Sequence, residues 1–315
     1  MTNNAKIVAI VGTGLIGRAW AAAFARAGWS VRLWDPTEGA AVAASIWLPE
    51  ALADLHTAGL LDQIPALDVT CPATLQEAVQ GVAYVQESAP ERLDVKLALW
   101  ADLDRFAPID AVLASSTSAI PASRFTEKLE GRGRCLVAHP LNPPHLIPAV
   151  ELVPTPWTVP ATVELAEAIM TSIGQAPIRL EREIEAFVVN RLQMALLEEA
   201  FRLVEQGVCD ADAIDVAVKD GLALRWAFMG PFETIDLNAP GGVRDYVQRY
   251  QGIGEMLFPQ MQWRADWAGA ALERIEATRR AQLPTAELPE RTRWRDRRLM
   301  ALLAHKKRTQ TDLGD

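Results

Sequence analysis

The chain has 315 residues, half of them hydrophobic, and carries a formal net charge of −9. This length suffices for one large domain and a second, smaller one, and the apolar share indicates packed structure rather than disorder. The negative charge argues against nucleic acid as a partner, since binding to a phosphate backbone requires a basic surface.

The first predicted element is an apolar strand at residues 7–11, which runs directly into a turn with the spacing GxGxxG. A helical pattern at residues 19–28 follows this turn. In a dinucleotide-binding turn the first glycine permits the tight bend, the second lets backbone N–H groups approach the pyrophosphate, and the third lets the helix lie close to the strand. We therefore predict that the dinucleotide is bound by Gly12, Gly14, Leu15, Ile16 and Gly17.

Asp35 ends the second predicted strand, residues 31–34, at the position where dinucleotide-binding proteins recognise a ribose. A carboxylate there accepts hydrogen bonds from the ribose hydroxyls and repels the 2′-phosphate of NADP. Residues 36–38 supply no arginine that would bind such a phosphate. NAD is therefore the predicted cofactor.

Strands and helices continue to alternate through the next hundred residues. The other predicted strands are residues 68–70, 82–85, 111–114, 135–138 and 149–153. The predicted helices between them are residues 38–61, 75–80 and 93–106. This alternation is typical of an α/β protein with a Rossmann-type, doubly wound parallel sheet wrapped by helices.

The pattern becomes purely helical from about Glu185, beginning with a long amphipathic stretch at residues 186–206. We therefore predict an NAD-binding domain over residues 1–184 and a smaller, all-helical domain over residues 185–315. The strongly basic residues 291–308 are interpreted as a terminal helix that is solvated on one side and docks one apolar face.

Three widely spaced cysteines, Cys71, Cys135 and Cys209, lack the CxxC pairs of a zinc or redox site, so no metal is expected. Their odd number fits a reducing compartment. Residues 1–5 are polar and leave no room for a signal peptide, and no stretch approaches the roughly 18 apolar residues of a membrane span. A cytoplasmic protein without a membrane partner is expected.

Polar residues just after the predicted strands are the candidates for chemistry, because ligands of such sheets bind beyond the carboxyl ends of the strands. His139 is the best candidate base, since histidine is the usual proton acceptor near neutral pH. Glu151, after the next strand, is placed to fix the tautomer of the imidazole. Ser118 and Asn190 provide a hydroxyl and an amide for gripping the reacting oxygen.

Several motifs resemble those of the L-3-hydroxyacyl-CoA dehydrogenase superfamily, and the likeness spans nearly the whole chain. They are GTGLIG at residues 12–17, SSTS at 115–118, HPLNPP at 139–144, VELV at 150–153 and FVVNRL at 187–192. Longer matches at residues 86–91, 137–144, 150–154 and 230–234 are most similar to the branch that contains lambda-crystallin and L-gulonate 3-dehydrogenase.

The resemblance implies roles for six residues. Ser118 lies at the family's substrate-oxygen position and His139 at the position of the base. Glu151 lies at the base-orienting position and Asn190 at the substrate-amide position. Glu91 and Lys96 fall on positions near the nicotinamide ribose. His145 departs from the branch, which has an aromatic residue there, and so alters the polarity of the pocket. Because the family pairs through its helical domain, a homodimer is expected.

The distribution of charge predicts a small free hydroxy acid, rather than coenzyme A, as the substrate. Coenzyme A carries phosphates that require lysine or arginine at the mouth of the pocket. The chain has neither between Arg32 and Arg92. Arg225 is predicted to pair bidentately with a substrate carboxylate instead. L-Gulonate, oxidised to 3-dehydro-L-gulonate, is the first candidate.

Three alternatives stay open at this stage. Trp226 and Phe228, close to Arg225, favour an L-carnitine-type 3-dehydrogenase, because a quaternary ammonium stacks on aromatic faces. An L-3-hydroxyacyl-CoA dehydrogenase, acting for example on 3-hydroxybutyryl-CoA, is the second. The third is a structural protein that binds NAD(H) with little turnover, as lambda-crystallin does, and the intact set of four catalytic residues argues against it.

Overall fold

The computed structural model describes residues 6–313, so the prediction made for residues 1–5 lies outside it. Within this range the chain divides into two units. Among the described residues, the first comprises residues 6–189 and 296–307, and the second comprises residues 190–295 and 308–313. The last helix of the chain therefore contributes residues to both units.

Eight strands form the sheet of the first unit. They are β1 (Ile7–Val11), β2 (Ser30–Trp34), β3 (Val69–Thr70), β4 (Tyr84–Glu87), β5 (Val112–Ser115), β6 (Cys135–Pro140), β7 (Ala149–Pro154) and β8 (Ala176–Arg179). Their order across the sheet is β3-β2-β1-β4-β5-β6-β7-β8. From β1 the chain adds β2 and β3 on one side of the sheet and then β4 and the later strands on the other side. This is the doubly wound arrangement, so the predicted Rossmann-type fold is confirmed.

Helices pack on both faces of the sheet. They are α1 (Leu15–Arg26), α2 (Ala40–Thr57), α3 (Leu75–Val79), α4 (Leu93–Phe106), α5 (Ser123–Thr126) and α6 (Pro160–Ser172). Side chains alternate along a strand, so Val8 and Ile10 of β1 belong to the core cluster that includes Phe24 of α1. Ala9 belongs to the opposite cluster, with Trp100 of α4. Burial on both faces explains why β1 is apolar throughout.

One feature of the sheet corrects the expectation of wholly parallel strands. β7 runs antiparallel to β6, whereas β8 pairs parallel with β7. The reason is the connection at residues 141–148, which is too short for the crossover of a dozen or more residues that parallel neighbours require. The resulting hairpin places His139 directly opposite Glu151.

The second unit consists of helices. They are α7 (Val189–Glu205), α8 (Ala211–Val216), α9 (Ala223–Trp226), α10 (Pro231–Leu237), α11 (Gly242–Leu257), α12 (Ala270–Gln282) and α13 (Leu288–Leu313). Within this unit Glu198 of α7 accepts hydrogen bonds from the backbone N–H of Ala265 at 2.9 Å and from the indole of Trp267 at 2.7 Å. These bonds tie the loop before α12 to α7.

The basic terminal helix docks as predicted. Met300 of α13 is buried in the core cluster that contains α1 and α2, and Leu299 and Leu303 pack against the same cluster. Leu302 is largely exposed on the solvated side. Among residues 6–313, no helix is long and apolar enough to cross a membrane, and no group of acidic, histidine or cysteine side chains is placed to hold a metal ion.

Candidate active site

The glycine-rich turn between β1 and α1 is shaped by close backbone contacts. Gly12 has a φ of +90°, and a Cβ there would lie 2.7 Å from the carbonyl group of Ser88. A Cβ on Gly17 would lie 1.8 Å from the carbonyl oxygen of Gly12, so only glycine lets α1 approach β1 this closely. A Cβ on Gly14 would meet no described atom within 4 Å. This open space at the N-cap of α1 fits the pyrophosphate of a dinucleotide.

Asp35 directly follows β2, and two threonines fix its carboxylate. The backbone N–H groups of Thr13 and Thr37 donate to its two oxygens at 2.8 Å and 2.9 Å, and the Thr13 hydroxyl donates at 3.2 Å. Burial raises the pKa of Asp35, but these hydrogen bonds outweigh burial and leave the pKa lowered. The group is therefore a carboxylate at neutral pH, as binding of the NAD ribose requires.

His139 and Glu151 form a buried pair across the β6–β7 hairpin. Nδ1 of His139 lies 2.7 Å from Oε2 of Glu151. Glu151 is fully buried and His139 is 5% exposed. The imidazole is therefore almost fully buried, and the carboxylate beside it is shielded from water.

The other carboxylate oxygen of Glu151 accepts the backbone N–H groups of Val188 and Val189 at 2.6 Å and 3.0 Å. Burial raises the pKa of Glu151, but the hydrogen bonds from His139 and from these two amides outweigh burial and lower the pKa. An ionised carboxylate can only accept, so Nδ1 must be the donor. Nε2 of His139 is then the nitrogen that can take a proton from a substrate.

A strained turn before α7 completes this arrangement. Ala186 and Phe187 have left-handed backbone, with φ values of 61° and 53°. Such a conformation costs about 1–3 kcal/mol per non-glycine residue and concentrates at functional sites. It directs the amides of Val188 and Val189 toward Glu151, and it places the buried ring of Phe187 5.3 Å from the imidazole of His139.

Ser118 is exposed in the loop after β5, and the residues on either side of it are hydrogen-bonded to Glu91. Oε1 of Glu91 accepts the Thr117 hydroxyl and the backbone N–H groups of Ala119 and Ile120, the latter two at 3.0 Å and 3.1 Å. The loop that carries Ser118 is thus attached to Glu91 on both sides.

Lys96 of α4 is almost fully buried. Its Nζ lies 2.9 Å from Oε1 of Glu87 and 3.7 Å from Oε2 of Glu91. Glu87, the last residue of β4, is fully buried and also accepts the Ser115 hydroxyl and the indole N–H of Trp100. The sequence analysis did not identify Glu87 as a residue of the site. An acidic residue at the end of an apolar strand is the pattern that could have indicated it.

Three further predicted residues lie on other elements of the chain. Asn190 follows Val189 in the first turn of α7 and belongs to the second unit, as does Arg225, which is exposed in α9. His145 lies in the loop between β6 and β7 with its ring edge-on to Trp47, 5.5 Å between centroids. Sequence reasoning also missed Phe187 and the two valine amides, because backbone contacts leave no mark on residue type.

Comparisons with known proteins show the family to which the chain belongs. The family model "3-hydroxyacyl-CoA dehydrogenase, NAD binding domain" matches residues 7–184, and "3-hydroxyacyl-CoA dehydrogenase, C-terminal domain" matches residues 187–271. A lambda-crystallin homolog from Bos taurus is 42% identical over 306 residues, which is 94% of each chain. An L-carnitine dehydrogenase from Streptomyces griseus is 41% identical over 248 residues, 78% of this chain and 74% of that protein.

Among solved structures, the chain is similar to 5-formyl-3-hydroxy-2-methylpyridine 4-carboxylic acid 5-dehydrogenase, an NAD+-dependent dismutase. The TM-score is 0.82 at 28% identity, covering 94% of this chain and 97% of that one. The likeness thus includes both the sheet and the helices that follow it.

Proposed function

Because the chain belongs to the 3-hydroxyacyl-CoA dehydrogenase family, we propose that it oxidises the 3-hydroxyl of a small free hydroxy acid, with L-gulonate as the first candidate. The chain is an NAD-dependent oxidoreductase of that family. The observation that carries the choice of a free acid is the long stretch between Arg32 and Arg92, which contains neither lysine nor arginine.

The buried pair supplies the proton chemistry of this reaction. The glycine-rich turn after β1 and Asp35 would hold NAD, which would supply a hydride acceptor for the carbon that carries the hydroxyl. Nε2 of His139 accepts the hydroxyl proton, and the charged Glu151 stabilises the imidazolium that forms. We assign to Ser118 and Asn190 the hydrogen bonds that orient the reacting oxygen.

The charge pattern disfavours a coenzyme A thioester. The 3′-phosphate and pyrophosphate of coenzyme A need cationic partners, and α2 with the segment up to β4 supplies none. Two similar proteins are named for substrates with a free carboxylate, L-carnitine and a pyridine carboxylic acid. In this chain Arg225 is the proposed partner of the substrate carboxylate.

The test is a substrate panel with NADH formation as the readout. Purified protein is offered L-gulonate, L-3-hydroxybutyrate, L-carnitine and L-3-hydroxybutyryl-CoA, each with NAD and with NADP. Turnover of L-gulonate with NAD is the expected result. Turnover of the thioester alone would overturn the argument from missing basic residues.

L-Carnitine is the second candidate, favoured by the 41% identity to an L-carnitine dehydrogenase. If L-carnitine reacts fastest in the panel, the substrate is still a free acid, but it is L-carnitine rather than L-gulonate. NAD binding without oxidation of any panel member would instead favour a structural role like that of lambda-crystallin.

We further propose that the helical unit forms a homodimer. Large apolar side chains are exposed there, among them Leu224 at 65%, Phe228 at 70% and Phe232 at 78%. Exposed apolar surface of this kind marks a protein interface, and a second copy is the usual partner in an isologous pair. We place the protein in the cytoplasm, where its three unpaired thiols remain reduced.

A further inference from the structure

We propose that Glu91 is a positioning residue for Ser118, and that Lys96, which is itself paired with Glu87, holds Glu91 in turn. This role differs from contact with the nicotinamide ribose, which the family resemblance implies for Glu91 and Lys96. The inference rests on the proposed function only in giving Ser118 the task of orienting the reacting oxygen.

The first step is the way in which Glu91 brackets Ser118. One oxygen of its carboxylate accepts a donor from Thr117, which precedes the serine, and two from Ala119 and Ile120, which follow it. A loop fixed on both sides to one atom cannot shift its middle residue without breaking these bonds. The orientation of the Ser118 backbone is thus set by Glu91.

The second step concerns the start of the same loop. The Ser115 hydroxyl donates to the buried carboxylate of Glu87 and accepts the backbone N–H of Thr117 at 3.1 Å. The Ser116 hydroxyl accepts the side-chain amide of Gln86 at 2.7 Å. Residues 115–117 are therefore anchored to the end of β4, while residues 119 and 120 are anchored to Glu91.

The third step is the charge that keeps both carboxylates in place. Lys96 is 1% exposed and lies between Glu87 and Glu91, 2.9 Å from one and 3.7 Å from the other. Burial raises the pKa of Glu91, but hydrogen bonds from Thr117 and Ala119 and the charge of Lys96 outweigh burial and lower the pKa. Glu91 is therefore an anion with full accepting capacity at neutral pH.

The decisive experiment is a double-mutant cycle between Glu91 and Ser118. Glu91→Ala removes all three contacts, and we expect kcat to fall by about 100-fold, the loss typical of a small misplacement of a reacting group. Ser118→Ala should give a comparable loss, and the double variant should be no slower than Ser118→Ala, because Glu91 acts through the serine. If the fold-losses in kcat of the two single variants multiply in the double variant, the two residues act independently and the proposal is overturned.

Two further variants separate positioning from general damage. Glu91→Gln keeps a carbonyl oxygen where the three donors meet, so it should recover most of the lost kcat. Thr117→Val removes one of the three donors to Glu91, together with the bonds between the Thr117 hydroxyl and the backbone of Ile120, and kcat should fall less than in Glu91→Ala. The exposed Glu164→Gln of α6 is the matched control and should leave kcat and the melting temperature unchanged.

Binding of the cofactor gives the contrasting readout. The dissociation constant for NADH, measured by fluorescence titration, should rise by a much smaller factor than kcat falls in Glu91→Ala, because the loop of Ser118 positions the reacting oxygen rather than the cofactor. A rise in that constant matching the fall in kcat would show that Glu91 acts on the cofactor and would overturn the proposal.

A last measurement does not depend on any substrate. Amide hydrogen exchange at Ala119 should accelerate in Glu91→Ala and stay slow in Glu164→Gln, because this amide donates to Glu91, whereas the Ile120 amide also donates to the Thr117 hydroxyl. Unchanged protection would overturn the proposal even if the enzyme were active. If no panel substrate reacts, the proposed function fails, while this exchange measurement still decides the role of Glu91.

Discussion

The two units of the chain treat their apolar residues differently. The first unit completely buries several of its largest side chains, among them Trp20, Phe24 and Trp100. The second leaves Phe228 and Phe232 more than two-thirds exposed. The first unit therefore has a filled core behind His139 and Glu151, whereas the second leaves large apolar side chains exposed.

The largest effect is expected for His139→Gln, which tests the buried pair of the first unit. Glutamine can still hydrogen-bond to Glu151 but cannot act as the base, so we expect kcat to fall by about 10²- to 10⁴-fold. Steady-state kinetics on the best panel substrate measures the loss. The melting temperature and NADH affinity are the controls and should change little. Activity within tenfold of the wild type would exclude His139 as the base.

The packing of the first unit is tested by two glycines of one turn. Gly17→Ala would force a Cβ against the carbonyl of Gly12 and should destabilise the protein by about 1–3 kcal/mol, the usual cost of overpacking. Gly14→Ala meets open space and should fold normally yet bind NADH more weakly. Urea unfolding and NADH titration measure the two effects. Equal stability of both variants would contradict the packing argument.

Phe232→Glu tests the exposed apolar surface of the second unit. If a second copy covers this surface, a buried charge should weaken the dimer by about 2 kcal/mol or more, as at an interface hot spot. Analytical ultracentrifugation measures the dimer dissociation constant. Ile109→Glu is the matched control, since Ile109 is 82% exposed but lies in the first unit. A monomeric wild type, or equal effects of both substitutions, would end the dimer proposal.

The contribution of the second unit to substrate binding is tested by Arg225→Lys. A lysine keeps the charge but cannot reproduce the bidentate fork, so KM for the acid should rise about tenfold while kcat changes little. Arg182→Lys, exposed in the first unit, is the control. An unchanged KM would remove Arg225 from the site.

The smallest expected effect is the pH dependence contributed by Glu151. Its pKa in the folded protein is lowered, so its contribution to stability is fully present above its usual pKa of about 4.3 and is lost as pH falls through the folded pKa. The melting temperature should therefore drop less steeply with acid in Glu151→Gln than in the wild type. Identical slopes below about pH 5 would contradict this contribution.

Much of the first unit could be predicted because its elements are locally encoded. The apolar run of β1 and the glycines after it have a spacing that only a strand, turn and helix satisfy, and α4 was predicted with its observed bounds, Leu93–Phe106. β8 was missed, since Ala176–Arg179 is only partly buried and shows no apolar run. Helix α7 was predicted to begin at residue 186 but begins at Val189, because Ala186 and Phe187 adopt left-handed backbone.

The sequence by itself determined the chemistry that is available: the dinucleotide turn, the carboxylate of Asp35, a histidine and a glutamate at consecutive strand ends, and a lack of basic residues suited to coenzyme A. These are properties of residue type and local spacing. Only the tertiary structure decided that β7 turns back on β6, that two amides fix Glu151, and that Glu87 and Lys96 buttress the loop of Ser118. Such contacts join residues distant in the chain, and their energy depends on burial and geometry that no local pattern records.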